Sequence, residues 1–303
     1  MIPFEKLQLS QKDRLQGYLL EAGKEGCEYS FANLFLWGRK KVVERDGFLL
    51  ILSQFDRKTV YIFPVGQGDM KAVLDAIIHD AEMRGIPCCL AALTEQECRQ
   101  VEELYPGRFS FYCDRDSYDY IYSIDDLADL KGRKLQKKRN HLNRFEQNHP
   151  DAKIVPLDES NRVAAFMLAE QWYENRRAAD PNHDYHLEHQ ALHRAFAFYP
   201  QLDMEGVVLM EQGKVLAFAM GSRLNRNTFD IHFEKALDTT DGAYAAVNRG
   251  FARYLREKHP DVKWLNREDD LGIEGLRKAK LSYYPDHMVE KCWAQLREEE
   301  DDC

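Results

Sequence analysis

The stretch that decides the fold is residues 206–255, GVVLMEQGKVLAFAMGSRLNRNTFDIHFEKALDTTDGAYAAVNRGFARYL. Two largely apolar runs, 206–211 and 214–223, are separated by Gln212 and Gly213, a pair typical of a tight hairpin turn. Alternating apolar residues predict a third strand: Phe229, Ile231 and Phe233. Apolar residues at helical spacing predict a helix after it: Ala243, Val247, Phe251, Tyr254 and Leu255. The stretch therefore predicts a three-stranded antiparallel meander followed by a helix.

Working outward, both halves of the chain show the same order of elements. In the second half, two helices (near 165–173 and 192–199) precede the meander, and a strand (262–265), a helix (273–281) and a strand (287–293) follow the central helix. In the first half, helical patterns run to about residue 39 and are followed by a hairpin (48–53 and 59–63), a helix (73–81), a strand (88–92), a helix after Thr94, and strands at 109–112 and 118–122. The sequence predicts an α+β (α/β) fold made of two structurally duplicated units.

The predicted division has four parts. These are an N-terminal domain (1–130), a basic linking helix (131–150), a C-terminal domain with the active cleft (151–296) and an acidic disordered tail (297–303). The acidic run 298–302 supplies five of the negative charges behind the net charge of −9. Overall acidity therefore says little about partners.

Composition excludes several classes of protein. With 44% hydrophobic and 31% charged residues, the chain has the usage of a globular protein and not of a disordered one. The longest apolar stretches, 48–52, 88–93 and 215–220, are far shorter than the ~20 residues that cross a bilayer. The first residues show no secretory signal. We expect a cytoplasmic location, with peripheral attachment to a membrane as the alternative.

Cysteine and histidine usage gives no sign of a metal centre. The seven cysteines include no CxxC pair, so reduced thiols are expected in place of a disulfide framework or a zinc site. Four histidines lie within eleven residues: His183, His186, His189 and His193. The last three share a helix face, but no Glu or Cys completes a recognised signature, so we expect them to lie on the surface or to line an acceptor site.

The most unusual segment is 131–145, in which seven residues are Lys or Arg. Its only apolar stripe is narrow: Leu135, Leu142 and Phe145. The rest of this helix must face water or an anion, either as a solvated linker or as a contact for phosphates of a nucleic acid or an anionic lipid surface. The predicted anion-binding residues are Arg133, Lys137, Lys138 and Arg139.

Five segments carry a resemblance to a known family: 29–37 (YSFANLFLW), 132–141 (GRKLQKKRNH), 241–244 (DGAY), 266–272 (NREDDLG) and 275–285 (GLRKAKLSYYP). The second half resembles the GNAT acyltransferase superfamily. The chain as a whole resembles the family named for the C-terminal domain of phosphatidylglycerol lysyltransferase, which is built from two GNAT-like halves. The resemblance implies tandem GNAT-like domains and transfer of an aminoacyl group from aminoacyl-tRNA to an acceptor. It also marks Asn33 and Trp37, which share a helix face, as structural or site residues.

In a GNAT sheet the reactive centre lies where two central strands separate, here after the strands ending at Glu234 and Leu265. Glu234 and Glu268 are candidate general bases, and Tyr283 is a candidate acid for the leaving group. The candidate substrate- or donor-binding residues are Gly242, Ala243, Tyr244, Asn248, Asn266, Arg267, Asp269, Asp270, Arg277 and Lys280. For Arg277 and Lys280, the alternative is a salt bridge to Asp269 or Asp270.

The donor loop separates the possible acyl donors. Acetyl-CoA-dependent GNAT enzymes hold the pyrophosphate on a Gln/Arg-x-x-Gly-x-Gly/Ala loop at a helix N-terminus. The matching stretch here, 239–244, keeps Gly242 but lacks the basic first residue and ends in Tyr244. Asp241 is predicted to be the N-cap of the following helix.

The resemblance and the patterns beside it leave three functions, the first of which is the one that the resemblance implies. The leading one is aminoacyl transfer from aminoacyl-tRNA to an amine or hydroxyl acceptor, an anionic lipid or a small molecule. The alternatives are an acetyl-CoA-dependent N-acetyltransferase and a non-catalytic protein that binds RNA or an anionic membrane. No cofactor is expected beyond the donor substrate, aminoacyl-tRNA or CoA, and no metal.

Overall fold

A computed structural model describes residues 1–55 and 58–297, in which helices flank two seven-stranded mixed sheets. The acidic run 298–302, predicted to be disordered, lies outside the described residues. The strands are β1 Glu5–Lys6, β2 Arg39–Arg45, β3 Phe48–Phe55, β4 Lys58–Gly66, β5 Cys89–Leu93, β6 Phe109–Cys113, β7 Asp119–Ser123, β8 Lys153–Pro156, β9 Glu205–Glu211, β10 Lys214–Arg223, β11 Thr228–Ala236, β12 Trp264–Asn266, β13 His287–Val289 and β14 Cys292–Leu296.

Most of the helices lie where the periodicity of the sequence predicts them, but the short helix Ile124–Asp129 lies outside the predicted elements. The helices are α1 Lys12–Ala22, α2 Phe31–Leu36, α3 Met70–Arg84, α4 Glu95–Leu104, α5 Ile124–Asp129, α6 Gln136–Asn148, α7 Arg162–Ala179, α8 His186–Ala197, α9 Ala243–Lys258 and α10 Glu274–Leu281. Thr94 and Glu97 form the predicted capping box at the start of α4. Throughout residues 1–55 and 58–297, the helices are too short or too polar to span a bilayer.

The two sheets repeat one topology. The first has the order β1-β2-β3-β4-β5-β14-β6 and the second the order β13-β7-β12-β11-β10-β9-β8. In each, an antiparallel meander ends in a strand that pairs in parallel with the strand after the next helix, as β4 does with β5 and β11 with β12. The shared strand order is the structural duplication that the sequence predicts.

The sheets exchange strands across the predicted division at residue 130. β7 comes from the first half of the chain but pairs with β12 and β13 in the second sheet, and β14 inserts between β5 and β6 in the first sheet. The single strand predicted at 287–293 is therefore wrong, because it is two strands, β13 and β14, in different sheets. Apolar alternation identifies a strand but not its distant partner.

The strand exchange also corrects the expectation of reduced thiols. Cys113 on β6 and Cys292 on β14 occupy paired positions with their Cα atoms 4.1 Å apart, and they form a disulfide. A separation of 179 residues in sequence gives no hint of this pairing. Among the described residues, the other cysteines are free: Cys27, Cys88, Cys89 and Cys98.

The two halves share part of their hydrophobic core. One buried cluster joins residues of α2 and β3, such as Leu34 and Ile51, to residues of α7 and β10, such as Leu168 and Phe218. Helix α2 also contacts α8 directly. The halves are therefore packed against each other through apolar surface, which places side chains of α2 beside the end of the second sheet.

Candidate active site

The site is built around a split between two strands of the second sheet. β11 and β12 pair in parallel through three residue pairs, the last being Asp230 with Asn266. β12 then ends, whereas β11 continues to Ala236. The loop after Asn266 takes the place of the missing strand, so its side chains face those of β11. On β12 the separation follows Asn266, next to the predicted strand end at Leu265, whereas on β11 it follows Asp230, before the predicted strand end at Glu234.

A β-bulge sets the direction of the side chains at this split. Met220 on β10 pairs with Phe233, and the next residue, Gly221, pairs with Ile231, so His232 is an extra residue on β11. A Cβ atom on Gly221 would lie 2.0 Å from the carbonyl oxygen of Asp230, so only glycine fits opposite the bulge. The bulge reverses the alternation of the strand. As a result, Glu234 turns toward α9.

The first group of polar residues at the split, called the Arg267 cluster, consists of Lys138, Glu234, Asn248, Arg267 and Tyr283. The carboxylate of Glu234 accepts hydrogen bonds from Arg267 Nε (2.9 Å) and Asn248 Nδ2 (2.7 Å). The guanidinium carbon of Arg267 lies 4.9 Å from the ring centre of Tyr283, and Lys138 Nζ lies 4.0 Å from the same ring centre. Arg267 and Lys138 thus both lie against the ring of Tyr283, and Arg267 is paired with Glu234.

The Arg267 cluster retains polar atoms that no protein group satisfies. Within the described residues, the buried atoms Arg267 Nη1 and Asn248 Oδ1 have no hydrogen-bond partner. Burial, together with the charge of Arg267, lowers the pKa of Lys138 to about 8. Burial raises the pKa of Tyr283 to about 12, so its hydroxyl is protonated at neutral pH. The cluster can therefore bind an electron-rich oxygen, accept one N–H or O–H and donate a proton.

The second group, called the His232 cluster, consists of Asn33, Ser222, Asp230, His232 and Glu268. His232 Nε2 lies 2.8 Å from Ser222 Oγ, and His232 Nδ1 lies 3.0 Å from Glu268 Oε1. Asn33 Nδ2 donates to the same oxygen of Glu268 at 3.1 Å. This chain of hydroxyl, imidazole and carboxylate can transfer a proton.

Asp230 is the least satisfied member of the His232 cluster. The residue is fully buried, and neither of its oxygens has a hydrogen-bond partner among the described residues. Burial, reinforced by the neighbouring carboxylates Glu268 and Asp119, raises the pKa of Asp230 well above its usual value. The surroundings of Asp230 therefore favour its protonated form over the carboxylate.

The structure divides the three predicted catalytic residues between the clusters. Glu234 and Tyr283 belong to the Arg267 cluster, whereas Glu268 belongs to the His232 cluster. Glu268 has a left-handed backbone (φ 56°) in the loop after β12, next to Arg267. The loop thus presents two consecutive side chains to two different groups of partners.

Two predicted substrate-binding residues of this loop are engaged in internal contacts. Asn266 Nδ2 donates to Asp119 Oδ2 (2.9 Å), and its Oδ1 accepts from the Glu268 backbone N–H (2.6 Å). Asp270 accepts from Arg277 Nε at 2.9 Å and also bonds to the hydroxyl of Tyr120. Burial alone would raise the pKa of Asp270, but these hydrogen bonds lower it to about 2. Both side chains hold the shape of the loop.

Arg277 and Lys280 likewise bind the protein itself. Arg277 forms the salt bridge to Asp270 that was the alternative expectation. Lys280 does not pair with an acidic side chain as expected; its Nζ donates to the carbonyl oxygens of Arg267 (2.6 Å) and Glu268 (3.2 Å). Asp269 lies in the same loop, and burial raises its pKa to about 7. Lys280 therefore fixes the backbone from which both clusters project.

The donor loop is packed against the basic helix. Gly242 (φ 86°) is the N-cap of α9, and a Cβ atom there would lie 2.8 Å from Phe145 Cβ and 2.9 Å from the carbonyl oxygen of His141. The prediction of Asp241 as N-cap is wrong, because its carboxylate turns to Arg144 Nη1 at 3.3 Å. Helix α6 therefore lies against the loop that holds pyrophosphate in CoA-dependent relatives of the fold.

The next two residues of the donor loop differ in accessibility. Ala243, the first residue of α9, is fully buried in the core. Tyr244 is 38% exposed, and its hydroxyl accepts a hydrogen bond from Trp172 Nε1 at 2.9 Å. Only Tyr244 of this pair is accessible to a donor.

The four predicted anion-binding residues of the basic segment lie in different surroundings. Lys138 points into the Arg267 cluster, whereas Arg133 and Lys137 are exposed. Arg139 donates to the carbonyl oxygen of Gly132 at 2.7 Å and to that of Leu130, which closes the end of α5. Lys138 is thus the basic residue that links α6 to the candidate active site.

Sequence reasoning missed His232 and Ser222. His232 lies two residues before Glu234, but without the bulge the two side chains would be expected on one face and in one site. Asn33, singled out by the resemblance alone, is a partner of Glu268 from the other half of the chain.

A meander followed by a parallel strand pair in each of two mixed sheets, with a split between β11 and β12, defines an acyltransferase-type fold of tandem GNAT-like halves. A tandem GNAT protein from the clavulanic acid biosynthesis pathway shares this fold, with a TM-score of 0.51 and 9% identity over 98% of this chain and 99% of that chain. The chain belongs to the family described as phosphatidylglycerol lysyltransferase, C-terminal, whose model matches residues 21–295. The family and the fold class predicted from the sequence are confirmed.

Individual proteins are similar to this chain in sequence or in fold. A conserved protein of unknown function from Bacteroides thetaiotaomicron VPI-5482 has a TM-score of 0.92 and 37% identity, over 98% of this chain and 100% of that chain. L-PGS from Bacillus licheniformis shares the fold with a TM-score of 0.69 and 14% identity, over 99% and 96%. An uncharacterized protein of Mycoplasmoides gallisepticum is 31% identical over 181 residues, or 58% of this chain. The chain spans about half of that curated relative, 55% of its length.

Proposed function

We propose that this protein transfers an aminoacyl group from an aminoacyl-tRNA to a hydroxyl or amine acceptor, an anionic phospholipid or a small molecule. The observation that carries the proposal is the Arg267 cluster, with its unsatisfied donor and acceptor beside two cations. The carbonyl oxygen of an aminoacyl ester can accept a hydrogen bond from Arg267 Nη1, and the α-ammonium group can donate one to Asn248 Oδ1. The adjacent terminal phosphates of tRNA suit Lys138.

The same atoms argue against acetyl-CoA as the donor. An acetyl group has no amino group to donate to Asn248 Oδ1, which would remain buried and unsatisfied. The packing of α6 on Gly242 and the carboxylate of Asp241 also oppose a pyrophosphate at the N-terminus of α9. An N-acetyltransferase activity is therefore the alternative that the test must address.

The two clusters suggest a division of the chemistry. The acceptor loses its proton to Glu268, with His232 sharing the charge, as its oxygen or nitrogen forms a bond to the ester carbonyl carbon. Arg267 Nη1 stabilises the charge on the carbonyl oxygen. The bond to the ribose oxygen of tRNA breaks, and Tyr283 donates the proton to that oxygen. Glu234 is held by its hydrogen bonds to Arg267 and positions that guanidinium in this scheme.

The direct test is an assay with the purified chain. A pool of tRNAs charged with labelled amino acids is incubated with vesicles containing phosphatidylglycerol or with soluble amines, and the label is followed from tRNA into the lipid extract or the amine. A parallel reaction contains labelled acetyl-CoA. Transfer from tRNA supports the proposal; transfer from acetyl-CoA alone would make the protein an N-acetyltransferase. Binding of tRNA or vesicles without transfer would favour the non-catalytic alternative.

Lys138→Met is expected to weaken tRNA binding more than Lys137→Met does. Lys138 lies against Tyr283 and Arg267, whereas the adjacent Lys137 is exposed and serves as the matched control. Loss of one phosphate contact should reduce the slope of log affinity against log salt by about 1. Filter binding across a salt series measures this slope. Equal effects of the two substitutions would show a diffuse charged surface and remove Lys138 from the site.

The tRNA affinity of the wild-type protein is expected to fall as pH rises through about 8. Burial and Arg267 lower the pKa of Lys138 to about 8, so this side chain is a cation below that pH and neutral above it. Lys138→Arg keeps the charge, because guanidinium does not titrate in this range. Binding of uncharged tRNA measured from pH 7 to 9 should therefore decline in the wild type and stay level in Lys138→Arg. A parallel decline in both would assign the titration elsewhere.

A further inference from the structure

We propose that Glu170, His189 and His193 form a binding site for a divalent transition metal ion such as Zn²⁺. Glu170 Oε1 lies 2.8 Å from His189 Nε2 and 3.0 Å from His193 Nε2, and the two Nε2 atoms are 3.1 Å apart. All three atoms therefore converge on one point. Two imidazole nitrogens and one carboxylate oxygen are a ligand set that zinc and related ions accept.

The helices explain why these side chains meet. His189 and His193 are one turn apart on α8, so they share a face, and α7 supplies Glu170 from alongside. Tyr173 and Phe166 pack against the imidazoles, with ring centres 4.7 Å from His189 and 4.8 Å from His193. The rings are thus held in place. A tetrahedral site with bonds of ~2.0–2.1 Å has ligand atoms about 3.3 Å apart, so a shift of a few tenths of an ångström suffices.

One side of the Glu170, His189 and His193 group faces solvent. The side chains of Glu170 and His193 are 35% and 45% exposed, and that of His189 is 21% exposed, so the site opens to solvent on one side. In the described part of the chain, the salt-bridge partners of Glu170 are these two histidines, and no Lys or Arg neutralises it. Two imidazoles and a carboxylate without a cation are suited to bind one.

Within residues 1–55 and 58–297, two other groups of ligand-type residues occur, and each has another role. Cys27, Glu28 and Asp119 surround Lys291 Nζ, which lies 2.6 Å from Glu28 Oε1 and 2.7 Å from Asp119 Oδ1. Asp230, His232 and Glu268 belong to the candidate active site. The Glu170 group is different because it lies outside that site and contains no cationic side chain.

A metal ion here would join α7 to α8 close to the end of β11. On α8, the residue before His189 is Glu188, whose Oε1 accepts a hydrogen bond from Lys235 Nζ at 2.6 Å. Lys235 follows Glu234 on β11. A bound ion would therefore fix the helix that contacts the strand bearing Glu234. Sequence spacing could not show this site, because Glu170 lies 19 residues before His189.

The test is titration of the full chain with Co²⁺ after removal of metals by a chelator. We expect one equivalent of Co²⁺ per chain with the visible absorption of a tetrahedral or five-coordinate ion, displaced by Zn²⁺. His193→Gln and Glu170→Gln should each weaken binding at least about 10-fold, since loss of even an outer partner of a metal ligand costs 10–100-fold. His186→Gln is the matched control, since His186 lies one turn earlier on α8 and its Nε2 contacts Gln190.

The outcomes separate clearly. Binding that is unchanged in both His193→Gln and Glu170→Gln would overturn the proposal, as would the absence of visible absorption in the wild type. A strong near-ultraviolet band from cobalt–thiolate bonds would place the ion at cysteines and also overturn it. His193 and Glu170 are partly exposed, so their substitution should leave the fold intact, and circular dichroism of each variant checks this. The two substitutions are independent tests of the same site.

Discussion

Glu268→Gln is expected to lower the rate constant of aminoacyl transfer by about 10²–10⁴-fold, the usual contribution of a positioned general base. Glutamine has the same shape, and its carbonyl oxygen can still accept from Asn33 Nδ2, so the loop keeps its position. It cannot take a proton from the acceptor or balance a charge on His232. Single-turnover measurements with a saturating amount of charged tRNA isolate this step.

The effect on binding distinguishes a base from a structural residue. Glu268 and Lys138 lie in different clusters, so tRNA affinity should change less than about threefold in Glu268→Gln while the rate falls. Glu274→Gln, an exposed carboxylate at the start of α10, is the control and should keep the wild-type rate. A Glu268→Gln enzyme with a rate near that of the wild type would remove Glu268 from the chemistry.

Local features of the fold were predictable because they depend on residues close in sequence. The hairpin turn at Gln212–Gly213 and the capping box at Thr94 each satisfy backbone groups within a few positions. The helices show the same dependence on short-range periodicity. Each of these elements is present with limits near the predicted ones.

Features that depend on distant partners were not predictable in this way. The alternation in 287–293 could not show that the chain passes from one sheet to the other between Val289 and Cys292. The bulge at His232 depends on the close approach of Gly221, and it moves Glu234 and His232 into different clusters. In physical terms, the sequence identifies polar residues at strand ends, whereas register decides which of them meet.

The partners of the charged residues in and after the loop that follows β12 were also not predictable from the sequence. Asp270 is a candidate ligand because polar residues after a core strand are costly to pack. Arg277 and Lys280 are candidates because they lie three residues apart on one helix face. The structure satisfies those charges internally, through salt bridges and backbone carbonyl groups. Only Arg267 and Glu268 of this loop direct polar atoms to the split between β11 and β12.

Lys291→Met is expected to destabilise the protein by about 3–5 kcal/mol, the cost of removing one partner from a buried ion pair. Lys291 is 2% exposed and lies in the link between β13 and β14, where the chain passes between the sheets. Its Nζ contacts Glu28 from the first half and Asp119 on β7 of the second sheet. Although burial opposes the charged form, these carboxylates hold the pKa of Lys291 well above its usual value.

The pH dependence of the stability lost in Lys291→Met supplies an independent check. Without the ammonium, Glu28 and Asp119 are two buried carboxylates that lack a countercharge, so their folded-state pKa values should rise above the unfolded ones. The folded state then binds more protons than the unfolded state, and the stability of Lys291→Met should fall as pH rises. Urea unfolding at pH 5 and pH 8 should therefore show a larger deficit at pH 8.

Lys278→Met, an exposed lysine on α10, should change stability by less than ~0.5 kcal/mol at either pH. A deficit below about 1 kcal/mol in Lys291→Met, or one independent of pH, would mean that the two halves are held together by their shared apolar core and not by this buried triad.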